Sequence, residues 1–210
     1  MLLQRQPDLT LVMDNVNKPH NLAAIIRSCD AVGIHEVHAI SSRTAIRTKQ
    51  HAAAGASKWV RVRLEESITP VFEDLGKKGY RILVAACGPD AVDFRTLDYT
   101  VPTAIVVGAE LTGPSEETMG RADHFIGIPM EGMVESLNVS VAAAVILFEA
   151  QRQRLLAGMY GRNRFPQDTF ERLLFESAYP RLSRHLKEQE MPYPALDADG
   201  AILSVLFPAD

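Results

Sequence analysis

The chain has 210 residues, enough for one domain with a sizeable core and a smaller appendage. Hydrophobic residues make up 47% and charged residues 23%, which is typical of a globular protein and excludes a disordered or fibrous chain. There is no signal-peptide pattern and no long apolar run, so we expect a cytoplasmic protein without membrane spans.

Charge is distributed unevenly along the sequence, although the net charge is only −4. The last part of the chain, from Glu188 onward, holds five acids and no base, whereas residues 41 to 64 hold six bases and no acid. The acidic total therefore does not exclude a basic surface for nucleic acid, with a solvated loop as the alternative. The six bases are Arg43, Arg47, Lys49, Lys58, Arg61 and Arg63.

Apolar periodicity predicts short strands that alternate with helices. The predicted strands cover 9–13, 35–40, 59–64, 81–86, 103–107 and 124–128, and the predicted helices cover 21–32, 67–78 and a short segment that Ser115 caps. Asn21 is expected to cap the first helix, because Pro19 favours a loop before it. This alternation predicts an α/β fold with a mainly parallel sheet and helices on both faces.

The stretch from Ile128 to Ala150 combines a strand end, a polar loop and an apolar helix. Asn138 is a good N-cap, and Ser140 is the only polar residue from there to Phe148, so we expect the helix to be covered on more than one side. A core helix does not require Glu-Ser-Leu-Asn at its start. The tetrapeptide that ends at Asn138 is therefore a candidate site for chemistry.

Three loops that follow predicted strands each carry polar residues that are candidates for a functional site. These residues are Asn21 on the first loop, Glu110 on the second, and Ser136 and Asn138 on the third. Ligands of open parallel sheets bind beyond the carboxyl ends of the strands, so these loops are expected to converge. No G-x-G-x-x-G follows the first strand, which does not support a standard dinucleotide fold. No zinc cluster and no Ser/Cys-His-acid arrangement is visible. Spacing alone predicts an α/β ligand-binding protein and leaves open whether it is an enzyme.

Three motifs coincide with these loops. They are Asn21-Leu-Ala-Ala-Ile-Ile-Arg27, Val107-Gly-Ala-Glu-Leu-Thr-Gly113, and Ile128-Pro-Met followed by Ser136-Leu-Asn-Val-Ser-Val-Ala142. In this order they resemble the SpoU-type RNA 2′-O-ribose methyltransferases of the SPOUT superfamily. The likeness continues through RQPDLT, KPHN, HAAAGAS, AVDF, LFEAQRQR, AGMY and MPYP, so it covers most of the chain.

The resemblance implies a fold that periodicity does not predict. Residues 1–150 would form a methyltransferase domain with a deep trefoil knot, and residues 151–210 a helical C-terminal extension. S-adenosylmethionine would be held largely by backbone groups, with contacts from Ala85, Gly108, Ile128, Met130 and Leu137. The family also implies a homodimer, with the apolar helix and the Asn21 helix at the interface.

The implied reaction is methyl transfer to the 2′-hydroxyl of guanosine 18 in the D-loop of tRNA. The family gives Arg27 the central role, and the residues expected to line the site with it are Asn21, Glu110, Ser136 and Asn138. Contacts to RNA are expected from Arg43, Arg47, Lys49 and Lys58, and no metal is expected. The alternatives are a ribosomal RNA methyltransferase and a non-catalytic RNA-binding relative. Arg27 could also serve only as a helix-surface partner of Asp30.

Overall fold

The computed structural model describes residues 1–41, 59–197 and 199–203. In these ranges seven strands form one sheet with the order β3-β2-β1-β6-β4-β7-β5, and every neighbouring pair is parallel. The strands are β1 Leu9–Asp14, β2 Glu36–Ile40, β3 Arg61–Glu65, β4 Arg81–Ala85, β5 Val92–Asp93, β6 Thr103–Val107 and β7 His124–Gly127. Of these, β5 was not predicted, because two residues are too short for a periodic signal.

The residues that the structure describes also form six α-helices. They are α1 Pro19–Ala31, α2 Ile68–Lys77, α3 Glu116–Met119, α4 Val139–Leu156, α5 Gln167–Ala178 and α6 Pro180–Glu188. None of the described helices is both long enough and apolar enough to cross a membrane.

Both faces of the sheet are covered by helices. Leu9, Leu11 and Met13 of β1 point into a core that they share with α1 and α4. The alternate residue Val12 points to the opposite face, where it packs with α2. This alternation is what a strand buried on two faces requires, and it confirms the prediction of a mainly parallel α/β sheet with helices on both faces.

The start of α1 differs from the prediction. The helix begins at Pro19, Lys18 occupies the N-cap position without a side-chain cap bond, and Asn21 lies buried in the first turn. Proline suits this position because its φ is preset for a helix and the amide that it lacks would be unpaired anyway. The prediction that Asn21 caps the helix was therefore wrong, and its side chain is free for another role.

The apolar helix α4 is longer than its apolar part and crosses residue 150. Ala143, Ile146 and Ala150 are buried on its inner face, where it packs against α1. Val141 and Phe148 on its outer face are 47% and 50% exposed. The single chain thus covers one side of α4 only.

By its internal contacts the chain divides into two compact units. One unit is Arg5–Tyr160, which holds the sheet, and the other is Met1–Gln4 with Gly161–Asp210. The second unit contains α5 and α6, the helices that were predicted for the C-terminal part. Its core includes Phe175, whose ring lies 5.4 Å from that of Tyr179 and 4.7 Å from that of Tyr193.

Candidate active site

A cavity of about 560 Å³ opens at the carboxyl ends of β4, β6 and β7. This volume lies within the range of about 300–1,000 Å³ that is usual for small-molecule sites. The wall is formed by the segments that follow those strands and by the start of α4, and its residues include Ala85, Cys87, Gly108, Glu110, Ile128, Met130, Ser136, Leu137, Asn138 and Ile146. The sheet therefore offers a ligand site where parallel α/β folds usually have one.

The loop after β6 is folded tightly on itself. The amide of Ala109 donates to the carbonyl of Gly113 at 3.0 Å, and the amide of Gly113 donates to the carbonyl of Ala109 at 2.9 Å. A Cβ atom at Gly108 would lie 2.1 Å from the nitrogen of Pro114, so only glycine fits at this position. The glycine of the second motif thus allows this wall of the cavity to form.

Three of the predicted site residues form one chain of hydrogen bonds. The Nδ2 atom of Asn138 donates to Oδ1 of Asn21 at 3.3 Å, and Nδ2 of Asn21 donates to Oε1 of Glu110 at 2.6 Å. Asn138 also caps α4, as predicted, by accepting from the amide of Ser140 at 2.8 Å. The predicted convergence of the three loops is confirmed.

The environment of Glu110 favours its charged form. Partial burial raises the pKa of this carboxyl group, but hydrogen bonds from Asn21 and from the backbone of Glu110, Lys18 and Asn17 outweigh burial and hold the pKa below its ordinary value. The group is therefore a carboxylate at neutral pH and can act as an acceptor next to the cavity.

Arg27 stands apart from this hydrogen-bond chain. Its side chain is exposed on α1 and forms no hydrogen bond or ion pair with the described residues. The carboxylate of Asp30 instead pairs with Nη2 of Arg5 at 2.7 Å. The alternative that Arg27 serves as a surface partner of Asp30 is therefore wrong.

The remaining predicted residues divide into two groups. Ser136 lines the cavity, as do all five residues expected to touch the cofactor, which are Ala85, Gly108, Ile128, Met130 and Leu137. The residues expected to contact RNA, which are Arg43, Arg47, Lys49 and Lys58, lie outside the described ranges. No group of three or more metal-binding side chains occurs among the described residues.

Two of the six bases in the basic stretch are compensated. Arg61 lies 3.4 Å from the carboxylate of Glu36, and Arg63 lies 2.9 Å from it. Glu36 is on β2 and the two bases are on the neighbouring strand β3. The acid lies outside residues 41–64, so this pairing could not be predicted from the charges within that interval. The absence of acids from residues 41 to 64 therefore does not leave these two bases unpaired.

Sequence reasoning also missed Asp14. This residue ends β1 and is buried, and its carboxylate accepts hydrogen bonds from Ser115 and Thr118, which follow the loop of Glu110. The only signal in the sequence was an acid at the end of an apolar strand.

The parallel sheet, the cavity at its carboxyl edge and the adjoining polar chain define an α/β protein that holds a small ligand beside hydrogen-bonding and carboxylate groups. The chain belongs to the SpoU rRNA Methylase family, whose model matches residues 8–148. A second model, described as the C-terminal part of SpoU rRNA methylases, matches residues 152–204.

Known relatives agree with this family. The chain is 50% identical over 204 residues to the tRNA (guanosine(18)-2′-O)-methyltransferase of Escherichia coli strain K12, covering 96% of this chain and 89% of that protein. It is similar to the crystal structure of the A. aeolicus TrmH/SpoU tRNA modifying enzyme, with a TM-score of 0.76, 38% identity, and coverage of 85% and 92%. It is also similar to the SpoU methyltransferase AviRb of Streptomyces viridochromogenes in complex with AdoMet, with a TM-score of 0.64, 26% identity, and coverage of 71% and 59%.

Proposed function

We propose that the protein is an S-adenosylmethionine-dependent RNA methyltransferase that modifies the 2′-hydroxyl of guanosine 18 in tRNA. The observation that carries the proposal is the chain of hydrogen bonds from Asn138 through Asn21 to Glu110, placed next to a cavity of cofactor size. The named activity of the E. coli relative supplies the substrate. A ribosomal RNA substrate is not favoured, because the similarity to that tRNA enzyme spans 96% of the chain.

The cavity fits S-adenosylmethionine. Ile126, Ile128 and Ile146 supply apolar surface for a base. We assign the contacts to five lining residues, which are Ala85, Gly108, Ile128, Met130 and Leu137. When bound, this cofactor supplies a methyl group on a positively charged sulfur. The tight loop at Gly108 keeps one wall in place, so the site is largely preformed.

The protein must orient the ribose and receive the proton of its 2′-hydroxyl as that oxygen attacks. Asn21 and Asn138 are held by each other and by Glu110, so they present amide groups in fixed positions. Ser136, which lines the cavity, is proposed to bind the ribose. Arg27 is proposed to receive the proton or to stabilise the forming oxyanion while water receives it.

The proposal is tested by incubating the protein with labelled S-adenosylmethionine and separate tRNA and ribosomal RNA pools. We expect label in tRNA, and none in a matched transcript that carries adenosine at position 18. Label in ribosomal RNA alone would indicate the alternative substrate. An absence of label in both pools would indicate a non-catalytic RNA-binding protein.

We further propose that the protein acts as a homodimer through the outer faces of α1 and α4. The exposed residues Val141, Phe148 and Leu155 are spaced seven apart on α4, so they form an apolar stripe along one side of the helix. α1 packs against α4 and carries the exposed Arg27. A second copy placed on this layer would cover the stripe.

A charge in the stripe is expected to separate the two copies. Phe148→Glu should give a folded monomer, because Phe148 is 50% exposed in the single chain and a carboxylate there is costly only inside an interface. Val145 is a poorer choice, because it packs against the core of its own chain. Light scattering measures the outcome, with Leu156→Glu as the control. A dimeric Phe148→Glu protein would rule out this interface.

We propose that the basic stretch contacts tRNA phosphates through Arg43, Arg47, Lys49 and Lys58. Phosphate contacts release counterions, so replacing Arg43 and Arg47 with Ala should flatten the slope of log affinity against log salt by about 1.5. The matched control replaces Arg61 and Arg63 with Ala. Because these two bases pair with Glu36, their loss should change the slope less. Equal slopes for wild type and the first variant would exclude Arg43 and Arg47 from the phosphate contacts.

We propose that residues 1–150 form a methyltransferase domain with a trefoil knot and that residues 151–210 form a helical C-terminal extension. We also propose that the protein acts in the cytoplasm, where tRNA is found. The knot is what the resemblance to the SpoU-type enzymes implies. The segment after β7 lines the same cavity as the loops that follow β4 and β6, and α4 packs against α1. An experimental structure whose backbone can be pulled straight from both ends would contradict the knot.

A further inference from the structure

Asp14 is a buried carboxylate at the carboxyl end of the central strand β1, with 1% of its surface exposed. Its Oδ2 atom accepts from the amide of Ser115 at 2.8 Å and from the hydroxyl of Thr118 at 2.6 Å. Its Oδ1 atom accepts from Nδ2 of Asn15 at 2.8 Å. A buried carboxylate is tolerated only when it is well hydrogen-bonded, and here the donors come from two different loops.

These two loops are tied together in both directions. Asp14 stands at the base of the loop that leads to α1, and it binds the backbone at the end of the loop that follows β6. Glu110 belongs to that second loop, and it accepts from the backbone of Asn17 and Lys18 and from the side chain of Asn21. Each loop therefore contributes one carboxylate that binds donors of the other loop.

We propose that Asp14 is a positioning residue that holds the loop of Glu110 against α1 and so orients Asn21 and Asn138 for methyl transfer. Asp14 does not line the cavity, so it acts through Glu110 rather than on the substrate or the cofactor. The bond to Ser115 anchors the loop at its far end, and the tight turn at Gly108 anchors it at its start. The role in methyl transfer rests on the proposed function, whereas the role in holding Glu110 does not.

The first test measures the pKa of Glu110 by nuclear magnetic resonance in wild type and in Asp14→Asn, without cofactor or RNA. Asparagine keeps the size of the side chain but leaves one fewer acceptor, so the loop should loosen and Glu110 should lose donors. Because those donors depress the pKa in the native protein, their loss should raise it toward its ordinary value. The other charged side chains on this cavity, Lys18 and Glu135, are unchanged in the variant.

An identical titration of Glu110 in both proteins would overturn the proposal. If Asp14→Asn does not fold, Thr118→Val replaces it, because valine has nearly the same shape and removes one donor to Asp14. The expected shift then has the same direction and a smaller size. An unchanged Glu110 pKa in folded Thr118→Val would overturn the proposal equally.

The second test is a double-mutant cycle on single-turnover methylation of tRNA. Asp14→Asn should slow transfer about tenfold in wild type, the scale of one charge-assisted hydrogen bond, and less than about twofold in a Glu110→Gln background. If Asp14 had a purely structural role, Asp14→Asn would slow methylation by the same factor in both backgrounds. That result would overturn the inference.

Ser115→Ala tests the same network more mildly, because it removes the hydroxyl that caps α3 and donates to the Thr118 hydroxyl at 3.1 Å but keeps the amide that binds Asp14. It should slow methyl transfer less than Asp14→Asn does. A rate as low as that of Asp14→Asn would show that the α3 cap, rather than the Asp14 carboxylate, holds the loop. A wild-type protein without any methyl transfer would defeat the proposed function but would leave the titration of Glu110 to decide the role of Asp14.

Discussion

Arg27→Lys is expected to abolish methyl transfer while the protein still binds S-adenosylmethionine. Lysine keeps a positive charge but loses the planar group with its fixed fork of donors. A residue that stabilises a forming oxyanion or receives a proton typically contributes about 10²–10³-fold to the rate. Arg27 is exposed and has no partner among the described residues, so the substitution should not disturb the fold.

Single-turnover methylation and calorimetry of cofactor binding separate these effects. Arg121→Lys, a second exposed arginine of the sheet-bearing unit, is the control and should be fully active. A near-wild-type rate for Arg27→Lys would remove the catalytic assignment. If the rate of the variant recovers as the pH approaches the lysine pKa of about 10.4, the residue receives the proton, because only the neutral amine can do so. A rate that stays low at every pH supports stabilisation of the oxyanion.

Arg154→Met is expected to lower the free energy of unfolding by about 3–5 kcal/mol, the usual cost of breaking a buried ion pair. The Arg154 side chain is fully buried in α4. It donates to the carbonyl of Tyr99 at 2.8 Å and to the carboxylate of Asp8 at 2.7 Å. Three further bonds reach Gln6, Val101 and the carbonyl of Asp8. Methionine fills similar space but removes all five of these hydrogen bonds.

Urea denaturation at a fixed protein concentration measures the loss, since association with a second copy would also shift the midpoint. Arg152→Met is a matched control two residues away in α4. Its guanidinium is exposed and pairs with Glu149 on the surface, where solvent screens the ion pair, so the loss of stability should be much smaller than for Arg154→Met. Similar losses for the two variants would show that the buried network around Arg154 adds little stability.

The sequence alone determined the features that depend on neighbours along the chain. Periodicity predicted the strand at Thr103–Val107, and the cap at Asn138 was identified because a cap bonds to an amide two residues away. The three motifs identified the family and the loops of the site. The loops converge because parallel strands place the chain that follows them at one edge of the sheet.

Tertiary structure decided the features whose partners are distant in the sequence. Asn21, expected to cap a helix, bonds instead to Glu110, which is 89 residues away. Arg154 donates a hydrogen bond to Asp8, which is 146 residues away, and Asp14 accepts one from Ser115, which is 101 residues away. Such partners depend on the order of the strands in the sheet, because that order decides which loops meet. Local propensity carries no information about that order, so the chain of polar contacts at the site became visible only in the folded protein.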